Sequence, residues 1–162
     1  MNIDDYIIRP PQTREEWDEI PGLLLDYRNE FDDETCFTSF EEEMANIEKV
    51  YTAPGSQLFI AIEESDNKIV GCVAMRTLSP GVAEMKRLYV IPSCRGLHLG
   101  EDLTLEILSY AEEKNYERML LDTMNEMHAA QKLYRQLGFT KIEPYRDQDP
   151  MKVVCYEKKF FS

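Results

Sequence analysis

The chain has 162 residues, 18 Lys plus Arg against 31 Asp plus Glu, a formal net charge of −13, and 43% hydrophobic residues. One domain of ~100–200 residues accounts for that length, and the apolar fraction excludes disorder as the main state. The acidic balance excludes a generic nucleic-acid binder and a protein held by charge on an anionic membrane, since both need a basic surface.

In chain order, I-D-D-Y-I-I-R-P-P reads as a short strand stopped by Pro10 and Pro11. Thr13 with Glu16 three residues on has capping-box spacing and opens a helix over 14–31, which Pro21 and Gly22 should kink or split. A second helix is predicted from Phe40 to Tyr51, capped by Ser39, with Glu41, Glu42 and Glu43 at the positive end of its dipole. The pattern then alternates: S-Q-L-F-I-A-I-E and K-I-V-G-C-V-A-M-R-T-L form a hairpin across S-D-N, and V-A-E-M-K-R-L-Y-V-I follows the Ser79-Pro80-Gly81 turn. Leu99, Leu103, Ile107 and Ala111 mark one face of a helix over about 98–114, and Arg118 to Thr123 reads as a buried strand. Ala130, Leu133, Tyr134 and Leu137 give a last helix over 127–137, ended by Gly138, before two short strands near Phe139–Ile142 and Lys152–Phe160. The order β-αα-βββ-α-β-α-ββ predicts a single α/β domain, a mixed sheet of about seven strands flanked by about four helices.

The longest purely apolar run, Leu58–Ile62, is far below the ~20 residues of a membrane span, and M-N-I-D-D-Y lacks the basic start of a secretory leader. Cys36, Cys72, Cys94 and Cys155 are widely spaced with no C-x-x-C pair, and there are two histidines. Reduced thiols, a cytoplasmic location and no metal site are the expectation.

The chemically informative stretch is L-Y-V-I-P-S-C-R-G-L-H-L-G-E-D-L, residues 88–103. A strand ends at Pro92, a loop holds Arg95 and Gly96, and a helix opens at His98 to Gly100. Unpaired amides and partial positive charge make such a helix start a seat for phosphate, with glycines admitting the ligand and Arg95 adding a charge. The loop is neither G-x-x-x-x-G-K-[ST] nor G-x-G-x-x-G, which argues against a nucleotide hydrolase. On its own, R-G-L-H-L-G reads equally as a softened turn with Gly100 packed against the sheet.

Its neighbours carry a resemblance. E-M-K-R-L-Y-V-I-P-S-C-R-G-L-H-L-G-E-D-L resembles the acetyl-CoA motif of the GNAT superfamily of N-acetyltransferases, [RQ]-x-x-G-x-[GA] after a strand ending in V-x-P. Downstream, M-H-A-A-Q-K-L-Y-R-Q-L-G-F resembles that superfamily's A-x-x-L-Y-x-x-L-G-F signature, and the likeness spans roughly residues 56–160. The middle glycine of the first pattern is replaced by His98, and Met127 stands where many relatives carry Asn.

The resemblance implies transfer of an acetyl group from acetyl-CoA to an amine. Arg95, Gly96, Leu97, His98, Leu99 and Gly100 would hold the diphosphate. Main-chain N–H groups of Leu88, Tyr89 and Val90 would pair with the pantetheine arm and polarise the carbonyl. By the resemblance Tyr134 would be the proton donor to the thiolate, although its place on an apolar stripe also fits core packing. Glu84, eleven residues before Arg95, is the candidate base. Strand alternation puts it on one face with Lys86, Leu88 and Val90 unless a bulge intervenes, and it reads equally as a strand charge paired with Lys86 or Arg87. Asn125 and His128 are expected to cap the last helix, Cys94 to be no nucleophile, and the acidic runs 32–34 and 41–43 to be solvated surface. Residues about 13–52 would form the acceptor side. The acceptor is expected to be a small-molecule amine, with a peptide amine or a non-catalytic acyl-CoA-binding module as alternatives and a homodimer as one possible assembly.

Overall fold

The computed structural model describes residues 5–30 and 39–161. In chain order they form β1 (Tyr6–Arg9), α1 (Arg14–Asn29), α2 (Phe40–Ala45), α3 (Ile47–Thr52), β2 (Ser56–Glu63), β3 (Lys68–Ser79), β4 (Val82–Val90), α4 (Leu99–Glu113), β5 (Arg118–Met124), α5 (His128–Gln136), β6 (Thr140–Ile142) and β7 (Val153–Lys159). One seven-stranded sheet runs β1-β2-β3-β4-β5-β7-β6. Every neighbouring pair is antiparallel except β4–β5, which the α4 crossover makes parallel.

The expected element order holds, with differences in the helices. α1 runs unbroken through Pro21, because Trp17, Ile20, Leu23 and Leu24 on both sides of it bury in the same core. Thr13 Oγ1 caps it by accepting from Glu16 N–H at 3.1 Å. The Glu16 carboxylate reaches back to the N–H of Gln12 rather than Thr13, and pairs with Arg9 at 2.6 Å. The helix expected from Phe40 to Tyr51 is two helices, broken where Asn46 takes φ −130. Ser39 makes no capping bond, since its own φ is 61.

Period-two alternation divides the strands between two cores. Phe59 and Ala61 face α4, with Val73, Met85, Leu103, Ile107 and Tyr134. Leu58, Ile60 and Ile62 face α1 and α3, with Trp17, Ile20, Leu24 and Tyr51. In β4 the alternation breaks: Tyr89 pairs Cys72 while Lys86 pairs Ala74, leaving Val73 opposite Arg87 and Leu88 together. Arg87 carries the bulge at φ 60. Met85 therefore lies in the α4 core and Tyr89 in the α1–α3 core, on opposite faces despite an even separation.

Candidate active site

β4 and β5 are in register only for Val82–Glu84 with Arg118–Leu120, although β4 continues to Val90 and β5 to Met124. The strands diverge beyond that point, and the edge of β4 from Lys86 onward is released from β5. A cavity of about 510 Å³ occupies the split, its walls including Leu88, Tyr89, Val90, Arg95, Gly100 and Tyr134. A second cavity of about 940 Å³ lies on the α2 side, walled by Glu43, Arg76 and Arg146 among others. Lys86 and Asp122 line both.

The mouth of the first cavity is built by the loop before α4. Gly96 at φ +87 turns the chain with open space where a side chain would stand, and His98 takes φ 63 immediately before the helix. Asp102 N–H donates to His98 C=O at 3.0 Å, closing the first helical turn. The amides ahead of it face outward by helix geometry, as an anion site requires. A methyl on Gly100 would meet only Leu133 at 3.8 Å, so Gly100 keeps the cavity wall low rather than packing against the sheet. His98 points to solvent with its Nδ1 3.6 Å from Glu101, while Leu97 and Leu99 turn inward to the core.

Arg95 is already engaged. Its Nη2 donates to both carboxylate oxygens of Glu30 at 2.9 Å, its Nε to Val90 C=O at 3.0 Å, and its guanidinium lies 5.6 Å over the Tyr89 ring. Glu30 lines the same cavity, so an acidic group competes there with any incoming anion.

Tyr134 is packed as core and also reaches the first cavity. It is 5% exposed, packs beside the rings of Phe139 and Tyr156, and still contributes to the cavity wall.

Glu84 is placed differently from the expectation. The bulge at Arg87 puts Glu84 and Lys86 on the face opposite Leu88 and Val90. Glu84 is 1% exposed and lines neither cavity. Arg76 approaches one of its oxygens at 3.4 Å; Arg146 and the Tyr145 hydroxyl, at 2.6 Å, donate to the other. This carboxylate is an anchor: it pins the β6–β7 loop, through Tyr145 and Arg146, over the α2-side cavity. Burial, with the carboxylates of Asp122 and Glu84 nearby, raises the Tyr145 phenol far above its usual range.

Several groups unmarked by any motif complete the walls. Asp122 accepts from Gln148 at 2.7 Å and lies 3.5 Å from Arg146. Glu43 holds Arg87 at 2.8 Å, accepts from Tyr51 at 2.9 Å and lies 3.5 Å from Lys86. Burial raises the Glu43 carboxyl, but Arg87 and Lys86 outweigh it and bring the net shift below the usual range. Glu43 is thus an ion-pair centre, not solvated surface. Asp122 was the one legible signal, a lone acid in M-L-L-D-T. Arg146 sits in a polar loop with no periodicity to mark it.

Asn125 does not cap α5; its amide donates to the carbonyls of Pro150 and Met151, at 3.3 and 2.8 Å. His128 occupies the first turn of α5 on the cavity wall, and Met127 Sδ accepts from Thr123 at 2.9 Å. Cys94 is 2% exposed, and burial pushes the Cys72 thiol up to about 12. Cys36 and residues 32–34 lie outside the described residues. Among the described residues, no cluster of three His, Cys, Asp or Glu could hold a metal ion.

A mixed sheet split between β4 and β5, with a helix N-terminus at the mouth of the split, defines an N-acyltransferase type of α/β fold. The chain belongs to the acetyltransferase (GNAT) family, whose model matches residues 16–139. It is 36% identical over 156 residues to an uncharacterized N-acetyltransferase of Schizosaccharomyces pombe, covering 96% of this chain and 93% of that one. A GNAT-family acetyltransferase structure from Staphylococcus aureus superposes with TM-score 0.80 at 23% identity, covering 96% and 99% of the two chains. A Thermoplasma acidophilum N-acetyltransferase solved with coenzyme A superposes with TM-score 0.71 at 18% identity, covering 96% and 99%. At those identities the two structures speak to the fold.

Proposed function

We propose that this acyltransferase moves the acetyl group of acetyl-CoA directly to the primary amine of a small molecule. The observation that carries the reading is the junction of two cavities at Lys86 and Asp122. One is bounded by an anion-seating helix start and a free strand edge, the other by charged side chains. The features fit the cosubstrate: amides around Gly96–Gly100 and the Arg95 guanidinium suit a diphosphate, and the Leu88–Val90 edge suits an amide-bearing arm. The second cavity, about 940 Å³, has the size of a small-molecule site, ~300–1,000 Å³.

Bound there, acetyl-CoA supplies an activated acyl carbon and a thiolate leaving group. Amides of the released β4 edge are fixed donors for oxyanion charge, because the sheet has already oriented them. Tyr134, whose phenol is set into the cavity wall, donates its proton to the departing sulfur. The amine loses one proton as its C–N bond forms and the C–S bond breaks. Asp122, facing both cavities, is the carboxylate placed to receive that proton in the role first assigned to Glu84. The buried, non-nucleophilic setting of Cys94 and Cys72 supports direct transfer over an acyl-enzyme.

Free-thiol release from acetyl-CoA, followed over a panel of amines, tests this. Release should depend on the amine, and Tyr134→Phe should lower kcat by about 10²-fold with melting nearly unchanged. Thiol release indifferent to every amine would contradict the proposal, and a large fall in melting for Tyr134→Phe would make that residue core alone.

A further inference from the structure

Arg87 is the one residue of β4 in the left-handed region, at φ 60. A regular strand has no place for that conformation, and an L side chain keeps it only where its surroundings hold it there. The sequence puts arginine at this point, where glycine would adopt the same backbone freely.

The contacts of Arg87 show what holds it. Its side chain is 3% exposed, and its Nε and Nη2 donate to the two carboxylate oxygens of Glu43 at 2.8 and 3.2 Å. Its guanidinium lies 5.3 Å over the Phe40 ring, and its C=O accepts from Cys72 Sγ at 3.3 Å. Phe40 and Glu43 stand one turn apart on α2, so that short helix grips the guanidinium by its edge and by its face. Glu43 is itself fixed: the Tyr51 hydroxyl of α3 donates to it at 2.9 Å, and Lys86 Nζ lies 3.5 Å away. Arg87 lines the first cavity and Glu43 the α2-side cavity, so the pair forms part of the partition between them.

The backbone consequence falls on the residues that follow. Arg87 and Leu88 together face Val73, and one extra residue in a strand shifts the alternation by which successive amides point to one neighbour or the other. Leu88, Tyr89 and Val90 come next, and they form the edge released from β5. Where their N–H groups point therefore depends on Arg87 keeping its left-handed turn.

From this geometry we infer that Glu43 is a positioning residue: by clamping Arg87 it holds the β4 bulge and so aims the Leu88–Val90 amides at the thioester carbonyl. Glu43 acts through Arg87 and takes no proton in the reaction. A bidentate, largely buried contact suits this task, because it fixes the direction of the guanidinium as well as its charge. The inference rests on the acetyltransferase reading above and adds the group, on a different element, that sets its oxyanion donors.

The test separates a clamp from a plain ion pair. Glu43→Gln should lower kcat at least about tenfold while the Kd of acetyl-CoA stays within about threefold, since a ~1 Å displacement at a reacting centre can cost about 10²-fold. Added to it, Arg87→Gly and Arg87→Ala both delete the guanidinium that Glu43→Gln leaves buried without the Glu43 carboxylate, but only glycine takes φ 60 freely. Glu43→Gln/Arg87→Gly should therefore recover most of kcat, and Glu43→Gln/Arg87→Ala should not. Amide chemical shifts at Tyr89 and Val90 read the same geometry without turnover. They should move in Glu43→Gln, return toward wild type with glycine and stay displaced with alanine. Where Glu43→Gln does not fold, the same glycine and alanine pair made with Glu43 intact gives the same contrast in kcat and in shifts. Equal recovery by glycine and alanine, a loss in melting alone, or unmoved shifts at Tyr89 and Val90 would make Glu43 a stabilising ion pair only and overturn the inference. Absence of acetyl-CoA binding by the wild-type protein would overturn the acetyltransferase reading instead, and the shifts would still decide the clamp.

Discussion

His98 stands at φ 63, the left-handed region, where the resembling pattern has glycine. An L side chain there costs about 1–2 kcal/mol. The imidazole offsets little of that, being exposed and 3.6 Å from Glu101. His98→Gly should therefore raise unfolding stability by about 1 kcal/mol in denaturant titration, and leave acetyl-CoA affinity equal or higher; lower stability would show that the side chain matters. The Arg95–Glu30 pair makes a second claim at this scale. Glu30→Gln should tighten acetyl-CoA binding severalfold by freeing Arg95, whereas Arg95→Ala should weaken it without changing KM for the amine. Equal weakening of both substrates by Arg95→Ala would deny it a phosphate role. Glu84, buried beneath Arg76 and Arg146, is a stability residue. Glu84→Gln should destabilise by about 3 kcal/mol, the low end for breaking a buried ion pair, and slow turnover by the same factor at every pH. A rate loss confined to low pH would instead mark Glu84 as the base.

Among the elements, β1 and α1 are joined by Arg9 and Glu16. The hydrogen-bonded Arg9 guanidinium, aided by the N–H of Gln12, brings the Glu16 carboxyl down from 4.5 to about 2. A carboxylate depressed on folding stabilises the fold above its unfolded value, and that contribution fades as pH falls through the folded one. Stability should thus decline between about pH 4.5 and 2, and the wild-type advantage over Arg9→Ala should shrink across the same window in acid-unfolding curves; an advantage independent of pH would deny the pair its role. Elements with strong signals were legible beforehand: the Thr13 cap, the Leu99–Ala111 stripe and the β2–β3 hairpin follow from local chemistry. So was the turn into α4, since R-G-L-H-L-G writes its backbone path into the sequence. The bulge at Arg87 was not, because nothing in E-M-K-R-L-Y-V marks where alternation slips. That slip put Glu84 on the face opposite Leu88 and Val90. The β6–β7 loop was equally opaque: Tyr145 and Arg146 matter through partners about 60 residues away in sequence, a tertiary fact without a local pattern.

At the scale of the whole molecule, a net charge of −13 opposes an anionic cosubstrate. Local features of the site, the α4 amides and Arg95, must act against that long-range field. Raising ionic strength shortens the reach of the field from ~30 Å at 0.01 M to ~8 Å at 0.15 M but leaves the close contacts largely intact. KM for acetyl-CoA should accordingly fall severalfold with added salt over that range, the reverse of a protein that steers anions; a rise would mean that a positive surface dominates approach. The central claim is that the cosubstrate lies along the β4 edge with its diphosphate against the start of α4. Backbone amide hydrogen exchange with and without acetyl-CoA tests that most directly. Amides at Leu88–Val90 and Gly96–Gly100 should gain the most protection, with the edge strands β1 and β6 little changed. Protection that bypassed both segments, or fell on the α2-side cavity alone, would contradict the account.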